Sequence, residues 1–267
     1  MLRDITLGQY YQTDSVIHRL DPRVKLMTTI CYIISLFIVD NFIGYILAGA
    51  FLALVIKLSK VPLKFMVRGM KSIIFLLIIA VIFNLFLTPG EVIFTLWKLR
   101  ITREGLRQAI FMAIRLVFLI MGSSVMTLTT TPNNLTDGME KLLGPLKIFK
   151  VPVHEIAMMM SIALRFIPIL LEETDKIMKA QIARGADFEN GNLIKKAKSL
   201  VPLLVPLFIS AFRRANDLAM AMEARCYRGG EHRTKMKPLV YKKRDWLAYS
   251  TVVCYLVCCV VFGKILL

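Results

Sequence analysis

Between Ser72 and Thr88 the chain is apolar on every face, with Asn84 as the sole interruption. A segment of that length and character is expected to cross a bilayer as a helix, because only a helix or a closed barrel satisfies its own peptide groups in hydrocarbon. One such run commits the chain to a membrane, and it is not alone. Met27 to Val39 and Phe42 to Ile56 are also apolar, and the Asp40-Asn41 break between them is so short that it reads as a tight helical hairpin. A fourth span is expected from about Gln108 to Leu128, with Arg115 inside it reaching toward the interface. A fifth runs from Trp246 to Leu267, where Trp246, Tyr249 and Tyr255 suit interfacial anchoring. Asp21 and Pro22 mark the first helix start, as a cap and a first-turn residue that needs no N–H. The expectation is an all-α polytopic membrane protein with about five transmembrane helices.

Charge gives the orientation. The chain carries 35 Lys and Arg against 18 Asp and Glu, a net charge of +17, although 57% of its residues are hydrophobic. Lys57, Lys60, Lys64, Arg68 and Lys71 occupy the loop before the third span, with no acid among them. A further 20 basic residues lie between Thr131 and Asp245. Positive residues concentrate on the cytoplasmic side of membrane proteins, so both segments are expected to face inward. The chain then divides into a cytoplasmic N-terminal segment (1–23), a four-helix transmembrane region (24–130), a cytoplasmic helical region (131–245) and a last transmembrane helix (246–267). Met1 to Arg23 is polar and mixed in charge, unlike a secretory leader, so insertion is expected to rest on the internal spans.

Residues 131–245 contain two more apolar stretches, Val151 to Leu171 and Leu200 to Met222. His154, Glu155 and Arg165 lie in the first, and Arg213, Arg214 and Asp217 in the second. Ile156, Met160, Ala163, Ile167, Leu171 and Met178 recur at helical spacing, with charged residues between them. The pattern predicts long amphipathic helices at the inner membrane face or partly dipping into it. Two extra spans, making seven, is the alternative.

Catalytic signatures are missing from the sequence. It contains no GxxxxGK[ST], GxSxG, HExxH or GxGxxG, and His18, His154 and His232 are isolated from other metal ligands. Cys31, Cys226, Cys254, Cys258 and Cys259 form no CxxC or zinc spacing and read as structural. Asn84, Arg115 and Lys264 are too few to build an intramembrane relay, which argues against a stand-alone carrier or membrane enzyme. A nucleic-acid role is disfavoured, because a dozen acids share the basic segment and no basic-aromatic interleaving occurs.

Two short elements remain. Gln181-Ile182-Ala183-Arg184-Gly185-Ala186 and Met222-Glu223-Ala224-Arg225-Cys226-Tyr227 each set one arginine between small residues where a helical run ends. Small neighbours admit close approach, and a guanidinium offers a rigid fork of donors to carboxylates or carbonyls. Either arginine alone would read as a solvated surface residue. A matched pair, 41 residues apart, suggests docking into two similar pockets.

Together with the N-terminal His18-Arg19-Leu20-Asp21-Pro22-Arg23-Val24-Lys25-Leu26 string and the span layout, these elements resemble the transmembrane T component of energy-coupling factor (ECF) transporters, over essentially the whole chain. The resemblance implies that 131–245 forms cytoplasmic coupling helices. It implies a subunit of an ATP-driven importer of vitamins or other micronutrients, joined to two ABC ATPases and to a small membrane S component that selects the substrate. The family's paired small-Arg-small motifs fall on Ala183, Arg184 and Gly185 and on Ala224, Arg225 and Cys226, with Cys226 where glycine is usual. ATP would be bound by the partners, so no cofactor, catalytic residue or metal ligand is expected in this chain. Met158, Met159, Met160, Met220 and Met222 offer a pliable apolar surface for the S component, or pack within the chain.

Overall fold

The computed structural model describes residues 10–39, 41–96, 99–186, 188, 193–230, 234 and 236–265. The described chain is built of eight α-helices: α1 (Pro22–Ile38), α2 (Phe42–Ser59), α3 (Leu63–Leu87), α4 (Arg103–Thr129), α5 (Pro132–Leu142), α6 (Val153–Ala183), α7 (Leu193–Ala224) and α8 (Lys243–Ile265). A small antiparallel ribbon, β1 (Val92–Leu96) with β2 (Leu99–Thr102), fills the connection before α4, and a 3-10 turn at Gly144–Phe149 precedes α6. Among the described residues two compact units result: 10–141 with 239–265, and 142–238.

Hydropathy matches the expected spans closely in places and differs in others. Among the described residues, α2, α4, α8 and α6 are each long and apolar enough to cross a membrane. The third expected span lies within α3, whose apolar stretch counts as Ile73–Phe86, and α1 has 17 residues. α6 was expected at the membrane face, and it qualifies by length and composition despite Arg165, because its charges crowd into its second half. α4 begins five residues before the expected Gln108. Its start is set by Thr102, whose Oγ1 accepts from the Gly105 amide and donates to the Thr88 carbonyl. Residues 190–192, an Asn-Gly-Asn string whose composition suits a turn, fall outside the described residues. Gly229 lies at φ +91°, and Gly230, at a bend, is so close to His154 that a side chain there would collide with the ring.

In the first unit, α1, α2 and α8 share a core of Tyr32, Leu36, Tyr45, Ala48, Leu52, Tyr255 and Cys259. Aromatic stacking organises it: Phe51 lies 4.4 Å from Tyr255, ring to ring, and Tyr255 Oη shares a hydrogen bond of 2.8 Å with Ser35 Oγ. Outward faces stay apolar, with Phe75, Phe83 and Ile78 exposed, as lipid contact requires. Arg115 sends its Nε to Tyr45 Oη and a second nitrogen to the carbonyl of Val39, at the turn that ends α1.

The N-terminal string fastens this unit. Asp21 caps α1 by accepting from the Arg23 amide, and its two oxygens receive the Arg23 guanidinium at 3.0 and 2.8 Å. The Asp21 amide donates to Asp245, which also accepts from Lys242 at the start of α8. Arg23 further reaches the Leu239 carbonyl and lies 3.9 Å over the Tyr241 ring. Lys25 donates to the carbonyls of His18 and of Thr129, at the end of α4. One short motif therefore ties the ends of three helices.

Candidate partner-docking site

The two arginine elements fold identically. At the end of α6, the Ala186 amide donates to the Gln181 carbonyl and the Gly185 amide to Ile182. At the end of α7, the Tyr227 amide donates to the Met222 carbonyl and the Cys226 amide to Glu223. Each is the paired 6→1 and 5→2 closure of a Schellman motif, which satisfies carbonyls that the helix leaves free. Arg184 and Arg225 both occupy the last half-helical position. The next residue is left-handed in each: Gly185 at φ +87° and Cys226 at φ +57°. A cysteine in that conformation crowds its own carbonyl at a cost of about 1–2 kcal/mol. The closure survives it.

Ala183, Arg184, Gly185, Ala224, Arg225 and Cys226 are all exposed. Neither guanidinium engages a described residue, so each is a desolvatable cation on a rigid helix end, where the helix dipole favours positive charge. Ile182, two residues before Arg184, and Met220, five before Arg225, add exposed apolar surface beside the charge.

α6 and α7 pack against each other in opposite directions. Gln181 Nε2 donates to the Pro202 carbonyl, Arg214 pairs with Glu173 at 3.2 Å, and His154 abuts Gly230. The first contact has a definite cause. Pro206 has no N–H, so the Pro202 carbonyl loses its helical partner, and Gln181 supplies a donor from the neighbouring helix. The second contact lies midway between the arginines: Arg184 is eleven residues beyond Glu173, and Arg225 eleven beyond Arg214. At 1.5 Å per residue each handle sits about 16 Å from the crossing, at opposite ends, so they are on the order of 30 Å apart.

Of the methionines, Met159, Met160 and Met220 are exposed while Met158 and Met222 are half-buried. The antiparallel pairing brings Met158–Met160 to the same end of the pair as Met220, Met222 and Arg225. Gln181 and the Glu173–Arg214 pair were not singled out by the sequence reading. A signal existed for the second: opposite charges repeat the 41-residue offset of the two handles.

Apolar helices of membrane length define a polytopic membrane protein, and two of its helices finish in matched, exposed ends. The family described as CbiQ, "Cobalt transport protein", matches residues 13–236. The chain is 58% identical over 268 residues to the energy-coupling factor transporter transmembrane protein EcfT of Clostridium kluyveri, covering 99% of this chain and 98% of that one. It is 49% identical to the same-named protein of Bacillus subtilis (92% and 93% covered) and 44% identical to that of Lactococcus lactis subsp. cremoris (99% and 100%). The chain belongs to this family, the transmembrane T components of energy-coupling factor transporters. Its relatives are named as transporter membrane components, not as enzymes.

Proposed function

We propose that the chain is the scaffold and energy-coupling subunit of an ATP-driven ECF importer of vitamins or other micronutrients, holding two ABC ATPases through Arg184 and Arg225 and a membrane S component through apolar surface that includes Met158–Met160, Met220 and Met222. The observation that carries this reading is the duplicated helix end: the same closure, the same arginine position and the same distance from the Glu173–Arg214 contact. A separation on the order of 30 Å is too great for one groove to seat both ends, which favours two similar partners over one. ATP is bound by those partners, and their closing and opening pulls on the two ends. Residues 131–245 and the N-terminus face the cytoplasm of a cell-membrane protein, where ATPases reside.

The test is charge reversal. Each of Arg184→Glu and Arg225→Glu is expected to weaken attachment by about 2–5 kcal/mol, the loss typical of one side of a desolvated ionic contact, and to abolish substrate uptake. Co-purification of both ATPases with the double variant at wild-type yield would overturn the proposal.

A further inference from the structure

Between the starts of α1 and α8 and the ends of α2 and α4, the first unit holds a half-open cavity of about 250 Å³. Leu54, Val55, Leu58, Val125, Met126 and Val252 are part of its largely apolar wall. A dry hydrocarbon slot needs no polar lining, yet Thr28, Thr29, Thr129 and three further polar side chains line this one. Lys25 and Arg244 both line it, close enough that their positive charges oppose each other. Tyr32 also lines it, and its hydroxyl is buried without a hydrogen-bond partner. Arg244 Nε is likewise buried and unpartnered.

The nearby acids offset this pair only in part, Asp21 and Asp245 both lying close enough to favour the Lys25 charge. Asp21 is committed to the Arg23 guanidinium, and Asp245 to the amides of Asp21 and Lys242. Lys25 spends two of its donors on the carbonyls of His18 and Thr129. An occupant that is apolar along its length and anionic at one end would satisfy every element of the cavity. Water alone would not, because the aliphatic wall offers it too few partners. Leu58, in the cavity wall, lies between Lys57 and Lys60 at the end of α2. Basic residues at a membrane surface attract anionic lipid.

We propose that this cavity binds one anionic phospholipid, its phosphate on Lys25 and Arg244 and one acyl chain in the aliphatic slot. The lipid then bridges α1, α4 and α8 at the ends that the N-terminal string also fastens, and adds the end of α2 to them. The guanidinium contributes the selective contact, because Lys25 has only one donor left beyond its two carbonyls.

The test uses the full chain purified in neutral detergent, titrated with phosphatidylglycerol or with phosphatidylcholine of the same acyl chains, with retained lipid counted by native mass spectrometry. One phosphatidylglycerol should be held with about tenfold preference, the scale of one charge-assisted contact. Arg244→Gln should reduce that preference to near unity. Met126→Trp, which fills the slot, should remove the bound lipid while Arg244 is intact, and phosphatidylglycerol should raise the melting temperature of wild type but not of this variant. Equal retention of the two lipids, an undiminished preference in Arg244→Gln, or displacement of the lipid by millimolar inorganic phosphate would each overturn the proposal.

Discussion

The two units of this protein treat burial in opposite ways. The described residues of 10–141 and 239–265 enclose their own core, in which Asp21, Lys25 and Asp245 are buried and hydrogen-bonded within the unit. The α6–α7 pair buries little: Val153, Ala157 and Leu203 are its buried apolar residues among those described. Leu200, Leu204, Phe208 and Phe212, on one side of α7, stay open. A helix pair alone cannot cover its apolar faces. The contrast teaches that the first unit is made to be stable and the second to be completed by others. Mutations should therefore act on stability in one and on assembly in the other.

The largest way to break that contrast is Asp21→Ala. The side chains of Asp21 and Arg23 are 3% and 12% exposed, and removal of the acid strands a buried guanidinium and uncaps α1. Loss of one partner from such a pair typically costs about 3–5 kcal/mol. A large fall in the melting temperature of the purified chain is expected; an unchanged value would show that the N-terminal string does not fasten the unit.

Acid tests the same knot more gently. Burial holds the His18 imidazole below its ordinary titration range, with the Lys25 charge adding to the effect against a raising contribution from the Tyr11 carbonyl. Nε2 faces that carbonyl at 3.0 Å, so Nε2 carries the proton and Nδ1 accepts from Ser15 Oγ. The unfolded chain takes up the second proton more readily. This contribution is thus complete above about pH 6.5 and is lost as pH falls below it. Asp21 follows at lower pH: burial would raise its titration, but the Arg23 hydrogen bonds prevail and lower it, so its share fades as pH falls below about 4. His18→Gln should flatten the melting-temperature slope between about pH 6.5 and 5, and an unaltered slope would exclude His18 as its source.

Much of this was legible in the residues and some was not, for identifiable reasons. Asp21-Pro22 announces its helix start because capping is local, and Ala-Arg pairs are visible because they repeat. The early start of α4 had a local signal that went unread, a threonine at the cap position with Glu104 in the first turn, whereas the second bond of Thr102, to the Thr88 carbonyl, depends on the fold and no local pattern encodes it. Gln181 was equally opaque. Its importance comes from a carbonyl freed by Pro206 on another helix, and a glutamine looks the same in sequence whether or not such a carbonyl is near. The left-handed Cys226 runs against local preference, since glycine is the ordinary residue there.

That last residue offers a sharper comparison between the two handles. Cys226→Gly should stabilise the end of α7 by about 1–2 kcal/mol by removing the strain of a left-handed side chain, and Gly185→Ala should destabilise the end of α6 by a similar amount. No atom lies within 4 Å of a side chain built at Gly185, so the effect there would be conformational and not steric. Amide exchange at residues 182–186 and 223–227 would read both changes. Opposite shifts are expected, and shifts of equal sign would show that the two closures are not equivalent.

The smallest effect belongs to the contact midway between the handles. Arg214 and Glu173 are 38% and 27% exposed, so water screens their attraction and Glu173→Gln should cost no more than about 1 kcal/mol. The same substitution nevertheless removes the charged contact between α6 and α7 that lies eleven residues from each of Arg184 and Arg225. If both helix ends must meet their partners together, Glu173→Gln should leave binding of each separate ATPase unaltered and slow uptake by the assembled transporter. A variant with normal uptake would mean that the crossing is held by packing alone, chiefly by the Gln181–Pro202 hydrogen bond and the apolar face around Leu203. The double variant Glu173→Gln/Gln181→Leu separates these cases. A deficit larger than the sum of the single ones shows that the two contacts share the task, and strict additivity shows that they act apart.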